Sequence, residues 1–255
     1  MLWVIYICDR SAKYGIGGKA AVFLANIYDG IFHMIAGKSW DEVKLPLLVG
    51  IIEAALMIFF DNTEKRIPTL RVSIHSIYAD KNYLAYKFIP VGVMPLMFCS
   101  AIFALVQIVM GLLAGYFPDN GNILWASSNM AMTRPLGMIV YIGIIWLINI
   151  VFAFITLSPI KTADNFKKSG DSMENIYAGK KSTLYLVGCV ARLSAYSSII
   201  FSVFAGIPFL MYLYGFFDST LMLLPTSMMM TTGLWLMLYR ESEVYIHYDR
   251  YKAFI

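Results

Sequence analysis

The stretch from Val91 to Tyr116 carries no charged side chain over its whole length. A helix rises about 1.5 Å per residue, so about 20 residues cross a hydrocarbon core of roughly 30 Å, and this stretch predicts a bilayer-spanning helix. Gly92 and Pro95 stand in its first turns, followed by Met97-Phe98-Cys99-Ser100. That pattern predicts a loosened end where the helix leaves a polar loop, and so a helix that moves. The remainder of the chain agrees with a membrane setting. It is 59% hydrophobic and only 14% charged, with mean hydropathy +0.67, which lies outside the range of soluble domains and predicts a polytopic membrane protein.

Little in the chain points to covalent chemistry. Cys8, Cys99 and Cys189 fall in apolar runs without CxxC spacing and read as small lipid- or core-facing residues. His33, His75 and His247 are scattered, and neither HExxH nor a Ser/His/Asp order occurs. No catalytic residue, metal site or cofactor motif is expected, and the chain is read as a non-enzyme.

In chain order, Met1 to Cys8 is apolar, too short to cross, and ends in Asp9-Arg10. It reads as the last turns of a helix cut off upstream rather than as a signal peptide. Tyr14-Gly15-Ile16-Gly17-Gly18-Lys19 is a glycine break that opens a helix to about Ala36, with Asp29 and His33 near its far end. The incomplete GxGxxG spacing, with no strand before it, reads as a tight turn rather than a phosphate loop. Leu45 to Phe60 is a short span with Pro46 in its first turn and Glu53 at its centre. An acid at that depth is either a substrate or proton site or, the favoured reading, a carboxylate facing a wet lumen.

After Phe60 the chain turns charged, then alternates over Val72-Ser73-Ile74-His75, turns at Ala79-Asp80-Lys81-Asn82 and continues as Tyr83 to Lys87. This predicts a solvent-exposed β-hairpin. Past the charge-free helix come an outer loop (Phe117 to Arg134), a second uncharged span (Pro135 to Pro159) and a polar loop (Lys161 to Lys181) with five lysines. A long helix from Ser182 then carries Arg192 close to its start, where the side chain can snorkel to head groups, and is expected to end near Gly206-Ile207-Pro208. An apolar external turn to Thr220, a Met-rich span from Leu221 to Tyr239 and a charged tail close the chain.

The approximate spans are 15–36, 45–60, 91–116, 135–159, 183–207 and 221–239. Lysine and arginine concentrate in alternate connections: Arg10 and Lys13; 61–90; 160–182; and the tail from Arg240. These hold 15 of the 20 basic residues, whereas Lys38, Lys44 and Arg134 stand on the other side. By the positive-inside rule, loops 61–90 and 160–182 and the C-terminus are cytoplasmic. The hairpin and the five-lysine loop should then be neighbours on one face, open to a soluble partner or to anionic lipid head groups. For any single lysine, setting topology is a sufficient role.

Several short motifs in order resemble the SecY protein-translocation channel family. Asp9-Arg10 with Tyr14-Gly15-Ile16-Gly17-Gly18 resembles the entry to its fifth helix. Lys65-Arg66-Ile67-Pro68 resembles the start of its large cytoplasmic loop, and Pro90-Val91-Gly92-Val93-Met94-Pro95 the opening of its seventh helix. The most specific match is Thr162-Ala163-Asp164-Asn165-Phe166-Lys167-Lys168-Ser169-Gly170, with Ala178-Gly179-Lys180-Lys181-Ser182 and Arg192-Leu193 after it. The run Ile74 to Ala85 is more similar to the accessory paralogue of Gram-positive cocci, which exports large glycosylated serine-rich adhesins.

The resemblance covers essentially the whole chain and implies the C-terminal portion of the family, without its first helix pair, plug and one gate wall. It places the pore constriction on Ala20, Leu24, Met97 and Met230, Ala20 being smaller than the usual ring residue. Without the resemblance, Met97 and Met230 read as core filling. It places motor binding on Lys65, Arg66, Lys161, Lys167, Lys168, Lys180 and Lys181. The family's cytoplasmic arginine corresponds here to Ile160, with Lys161 beside it.

The expected fold class is an all-α membrane protein, a polytopic helical bundle of five full spans plus the end of a preceding helix, with a cytoplasmic β-hairpin. The expected function is a subunit of a protein-conducting channel in the bacterial plasma membrane, exporting glycosylated, serine-rich preproteins. Its expected partners are a SecA-type motor ATPase, the secreted preprotein, small Sec-type or accessory membrane subunits, the N-terminal half of the channel and anionic lipids, with no nucleic acid. Two other classes remain open: half of a secondary transporter with Glu53 and Asp29 in an ion path, and a membrane scaffold.

Overall fold

A computed structural model describes the chain except residues 1, 15–16, 71–82, 171, 174–175, 177–178, 217 and 247–255. The helices are α1 (Leu2–Tyr14), α2 (Gly18–Ile35), α3 (Trp40–Asp61), α4 (Met94–Tyr116), α5 (Gly121–Asn129), α6 (Pro135–Leu157), α7 (Pro159–Ser169), α8 (Lys180–Leu213) and α9 (Leu224–Ile246), and the strands are β1 (Glu64–Leu70), β2 (Tyr83–Lys87) and β3 (Ser172–Met173). Among the described residues, five stretches are long and apolar enough to cross a membrane: α3, α4, α6 running into α7, α8, and the segment from Leu221 through most of α9. The sixth expected range, 15–36, is filled by α2, whose apolar part, Ala20–Ile35, is shorter. The chain divides into two compact units, Met1–Ile58 with Ile207–Ile255, and Phe59–Gly206.

In the first unit α2 packs against both α1 and α9. The Gly17 N–H donates to the Glu241 carboxylate at 3.1 Å, and Trp235 Nε1 donates to the Tyr28 hydroxyl at 2.9 Å. α1 runs on through Asp9-Arg10 to Tyr14 rather than stopping at Cys8. α3 starts at Trp40, five residues before the expected point. The sequence holds the reason, an S-x-x-E start at Ser39-Trp40-Asp41-Glu42, with the Ser39 hydroxyl donating to Glu42 at 2.8 Å and acids in the first turn, where the helix dipole favours them. Pro46 therefore lies inside the helix.

α8 also runs further than expected, straight through Pro208 to Leu213. What stops it is Gly215, at φ 76°. The Phe216 N–H reaches the Met211 carbonyl at 3.1 Å and the Gly215 N–H the Tyr212 carbonyl at 2.9 Å, which is the paired closure of a Schellman turn.

In the second unit α4 packs on α6 through a stripe of Pro95, Leu96, Cys99 and Phe103 facing Met138, Tyr141 and Ile145. The expected loosened end of α4 is corrected here. Gly92 precedes the helix at φ 69°, and Pro95 occupies the first turn, where a missing N–H costs nothing and the fixed φ suits a helix start. The outer loop holds a helix of its own, α5, and the five-lysine loop holds α7.

α6 meets α8 through a polar clamp. The two N–H groups of buried Asn149 Nδ2 are shared among Ser197 Oγ at 2.7 Å, Ser198 Oγ at 2.9 Å and the Ser194 carbonyl at 3.0 Å, the small polar residues that let membrane helices approach closely.

A methyl group on Gly137, at the start of α6, would lie 2.7 Å from the Ala131 carbonyl carbon and 2.8 Å from the Met130 carbonyl oxygen, both backbone atoms. Gly137→Ala should therefore cost about 1–3 kcal/mol, the range for overpacking a rigid site. Gly143→Ala, in open space on the same helix, should cost almost nothing. Denaturant unfolding of both variants in detergent checks the contrast, and equal stabilities would refute it.

Candidate functional site

A hairpin forms, with a first strand that lies earlier in the chain than the expected one. Its first strand is Glu64–Leu70, in the charged stretch that precedes the expected first strand, and it pairs antiparallel with Tyr83–Lys87. The expected strand at Val72 to His75 lies outside the described residues. The sheet order is β2-β1-β3, with Thr69 opposite Met173 and Leu70 opposite Ser172. This pairing ties the hairpin to the lysine-rich segment, so the expected adjacency of the two is met.

A shared core fixes the arrangement. Ile67 and Tyr86 from the hairpin, Ala163 from α7, Met173 from β3, Ala153 from α6, and Leu186, Cys189, Val190 and Leu193 from α8 form one buried cluster. The hairpin thus turns Ile67 and Tyr86 into this core. Burial pushes the Tyr86 phenol above its ordinary range, keeping it neutral inside this cluster.

Every basic residue expected to bind a motor is mounted on that core and exposed. Strand alternation separates the first two: Lys65 shares the face of buried Ile67, and Arg66 takes the other. Lys65 Nζ lies 4.0 Å from Cys189 Sγ. The Arg66 guanidinium stacks over the Tyr83 ring at 4.8 Å and lies 3.7 Å from Glu64.

α7 turns Pro159 and Ala163 inward with Phe166 packed beside them, an i, i+4, i+7 stripe. Lys161 and Lys168, seven residues apart, consequently share the outward face together with Asp164. Lys167 and Lys168 close the last turn, where the dipole favours cations. Lys180 and Lys181 instead begin α8, whose first turn holds no acid. The positive helix end adds to their charge, giving an electropositive spot on the same platform.

The constriction candidates divide between the units. Ala20 and Leu24 lie one turn apart on α2 and are buried, at 3% and 6% exposure. Met230 is half-buried on α9. Met97, in the second unit, is half-buried on α4 and lies about a quarter-turn off the packed stripe of Leu96, Cys99 and Phe103. Cys8, Cys99 and Cys189 are all buried.

Glu53 does not face a wet lumen, contrary to the favoured reading. It is 2% exposed, and neither carboxyl oxygen has a hydrogen-bond partner among the described residues. The cause is its place one turn from Gly50, where α3 crosses α9 so closely that a Cβ would lie 3.2 Å from Pro225 Cα. On the loops of the first unit, Lys38 pairs with Asp218 and lies 3.6 Å from Glu42. The hydrogen bond to Asp218 holds the Lys38 ammonium above its ordinary range.

Compared with known families, residues 1–233 match the SecY family. The chain belongs to the SecY family. Among curated relatives, the accessory Sec system protein translocase subunit SecY2 of Streptococcus pneumoniae (strain CGSP14) is 26% identical over 239 residues, covering 91% of this chain and 59% of that protein. The subunit of the same name from Streptococcus sanguinis (strain SK36) is 24% identical over 261 residues, covering 99% and 64%. The chain thus spans less than two thirds of these SecY relatives.

A solved structure described as "The structure of a protein conducting channel" superposes with TM-score 0.58 at 18% identity, over 94% of this chain and 62% of that one. A second, concerning the plug domain of the SecY protein, gives 0.59 with the same identity and coverage. At that identity the likeness shows the fold alone. SecY membership together with five spanning-length apolar stretches makes this a multi-pass membrane protein.

Proposed function

We propose that the chain is the C-terminal portion of an accessory SecY-type protein-conducting channel of the bacterial plasma membrane, with residues 61–90, 160–182 and the C-terminus in the cytoplasm. A SecA-type motor docks on the basic platform and drives serine-rich, glycosylated preproteins through the channel. Small Sec-type or accessory membrane subunits, anionic lipids and the N-terminal half of the channel complete the assembly.

One observation carries the reading. A single buried cluster mounts β1, α7 and the start of α8, and so presents Lys65, Arg66, Lys161, Lys167, Lys168, Lys180 and Lys181 together. With Ile160 at the position of the family's arginine, Lys161, Lys168 and the electropositive start of α8 supply the charge. Ala20, Leu24 and Met230 in the first unit and Met97 in the second take the constriction role. Apolar side chains there dewet a narrow passage, and the flexible methionines yield to a passing chain.

A photo-crosslinking side chain placed at Lys168 or Arg66 should capture a SecA-type motor, while one at Leu112, on the apolar face of α4, should not. Capture at Leu112 alone, or at none of the three, would overturn the docking assignment.

A further inference from the structure

One carbonyl fixes the level of three helices at the end of the second unit away from the lysine platform. The Met130 carbonyl, just past α5, accepts from Gln107 Nε2 of α4 at 3.3 Å, and a methyl group on Gly137 of α6 would lie 2.8 Å from the same oxygen. Gln107 and Gly137 therefore stand at one depth. Beyond that depth α6 continues for only about 3 Å, to Pro135, whereas α4 continues for about 14 Å, to Tyr116. The last turns of α4 have no α6 beside them.

α5 takes that place. It packs on α4, and its nine residues rise about 13 Å, so it runs back along α4 from the turn after Tyr116 to the level of Gln107. Met110 and Ala114 continue the packed stripe of α4 past α6 and stay half-buried, and Ile123 and Ala126 of α5 are half-buried too. The opposite face of α5 exposes Leu124 and Trp125, and α4 exposes Leu112 and Tyr116 over the same length.

Three observations say what covers this apolar face. It continues the exposed apolar side of a charge-free spanning helix, which is the lipid-facing surface of α4. From Val91 to Arg134 the only charges are Asp119, in the turn before α5, and Arg134 itself. The polar side chains of the last turn are satisfied within the helix: Ser127 Oγ donates to the Leu124 carbonyl at 3.0 Å, and Ser128 Oγ and Asn129 Nδ2 each donate to the Trp125 carbonyl at 2.9 Å. Such back-bonding suits a helix whose surroundings offer no water, and tryptophan and tyrosine are the residues enriched at the head-group boundary.

We infer that α5 is an interfacial helix that seats Leu124 and Trp125 in lipid at the head-group boundary, on the membrane face away from the lysine platform, and so extends the lipid-facing surface of α4 past the end of α6. The inference needs only the membrane placement of α4 and α6. It stands whether or not the motor docking and preprotein export proposed above hold.

The test places a nitroxide spin label on the full chain in phospholipid vesicles, at Leu124→Cys and, separately, at Trp125→Cys. Leu112→Cys is the lipid reference and Asp119→Cys the aqueous one, and the parent, whose own cysteines are buried, sets the background. Collision rates are measured with molecular oxygen, which concentrates among acyl chains, and with a water-soluble nickel chelate. An interfacial helix lies about 5–10 Å into the head-group and acyl boundary, so oxygen collisions at Leu124 and Trp125 should exceed nickel collisions by at least about threefold, with the opposite order at Asp119.

Nickel-dominated collisions at both α5 positions would overturn the lipid seat and leave this face in water. Low collision with both reagents would overturn it in favour of a protein covering, whether a second copy or another subunit. Nickel-dominated collisions at Leu112 as well would overturn the membrane placement of α4 itself. If Trp125→Cys fails to fold, Leu124→Cys, which keeps the indole, decides between these outcomes.

Discussion

Reversing four charges together, in the variant Lys167→Glu, Lys168→Glu, Lys180→Glu, Lys181→Glu, is expected to weaken binding of a SecA-type motor by at least about tenfold near 0.1 M salt. The size follows from the exposure of the platform. A single exposed ion pair contributes about 0.2–1 kcal/mol, so a lone Lys→Glu change should move the affinity only two- or threefold. Four reversals act on one mounted surface and turn attraction into repulsion. The loss should lie mainly in the association rate and shrink as salt rises, because charges more than about 10 Å apart are screened at 0.1 M.

The variant should also fold. All four lysines are exposed, and the cluster beneath them is apolar. Arg134→Glu, outside the platform, is the control. A binding isotherm in nanodiscs that is unchanged for the quadruple variant would remove the platform from docking.

Met97→Asp should make the complete channel leak ions at rest, whereas Met97→Leu, which keeps volume and apolarity, should leave the seal nearly intact. Met97 stands apart from the stripe by which α4 packs on α6 and is only half-buried, so the carboxylate does not enter that core. A hydrated charge instead wets an apolar constriction. Lowering the barrier by about 1.4 kcal/mol already raises conductance tenfold. Conductance normalised to folded protein separates the outcomes: lower abundance with no rise per channel would mark Met97 as ordinary core.

How far the sequence could be read depended on what stabilises each element. Hydropathy exposes helices that must satisfy lipid, and the charge-free stretch around α4 was legible for that reason. The neighbourhood of hairpin and lysines was legible from charge alone. α5 and α7 were not, because each is short and amphipathic, and α7 owes its existence to burying Pro159 and Ala163 under a sheet that no local window contains.

Proline misled twice. Pro208 suggested the end of α8 and Pro95 a weakness in α4, but Gly215 closes α8 and Pro95 stands at a position that favours it. The start of the hairpin was missed because the stretch after Phe60 was read only as charged, while exposed Arg66 and Pro68 alternate with Ile67 and Thr69, both buried, as in a strand. Burial of Glu53 depends on how closely Gly50 lets α9 approach, a tertiary fact with no local signature.

The central claim is that this chain is part of a protein-conducting channel rather than of a small-solute carrier. The most direct measurement reconstitutes it in liposomes with a SecA-type motor, ATP and a labelled preprotein, alone and together with the N-terminal portion that completes the family length, and scores protease protection of the preprotein. One wall cannot exclude lipid from a conduit, so protection should appear with the completing portion and be missing without it. No protection in either case, together with small-solute uptake abolished by Glu53→Gln, would contradict the channel and favour a transporter.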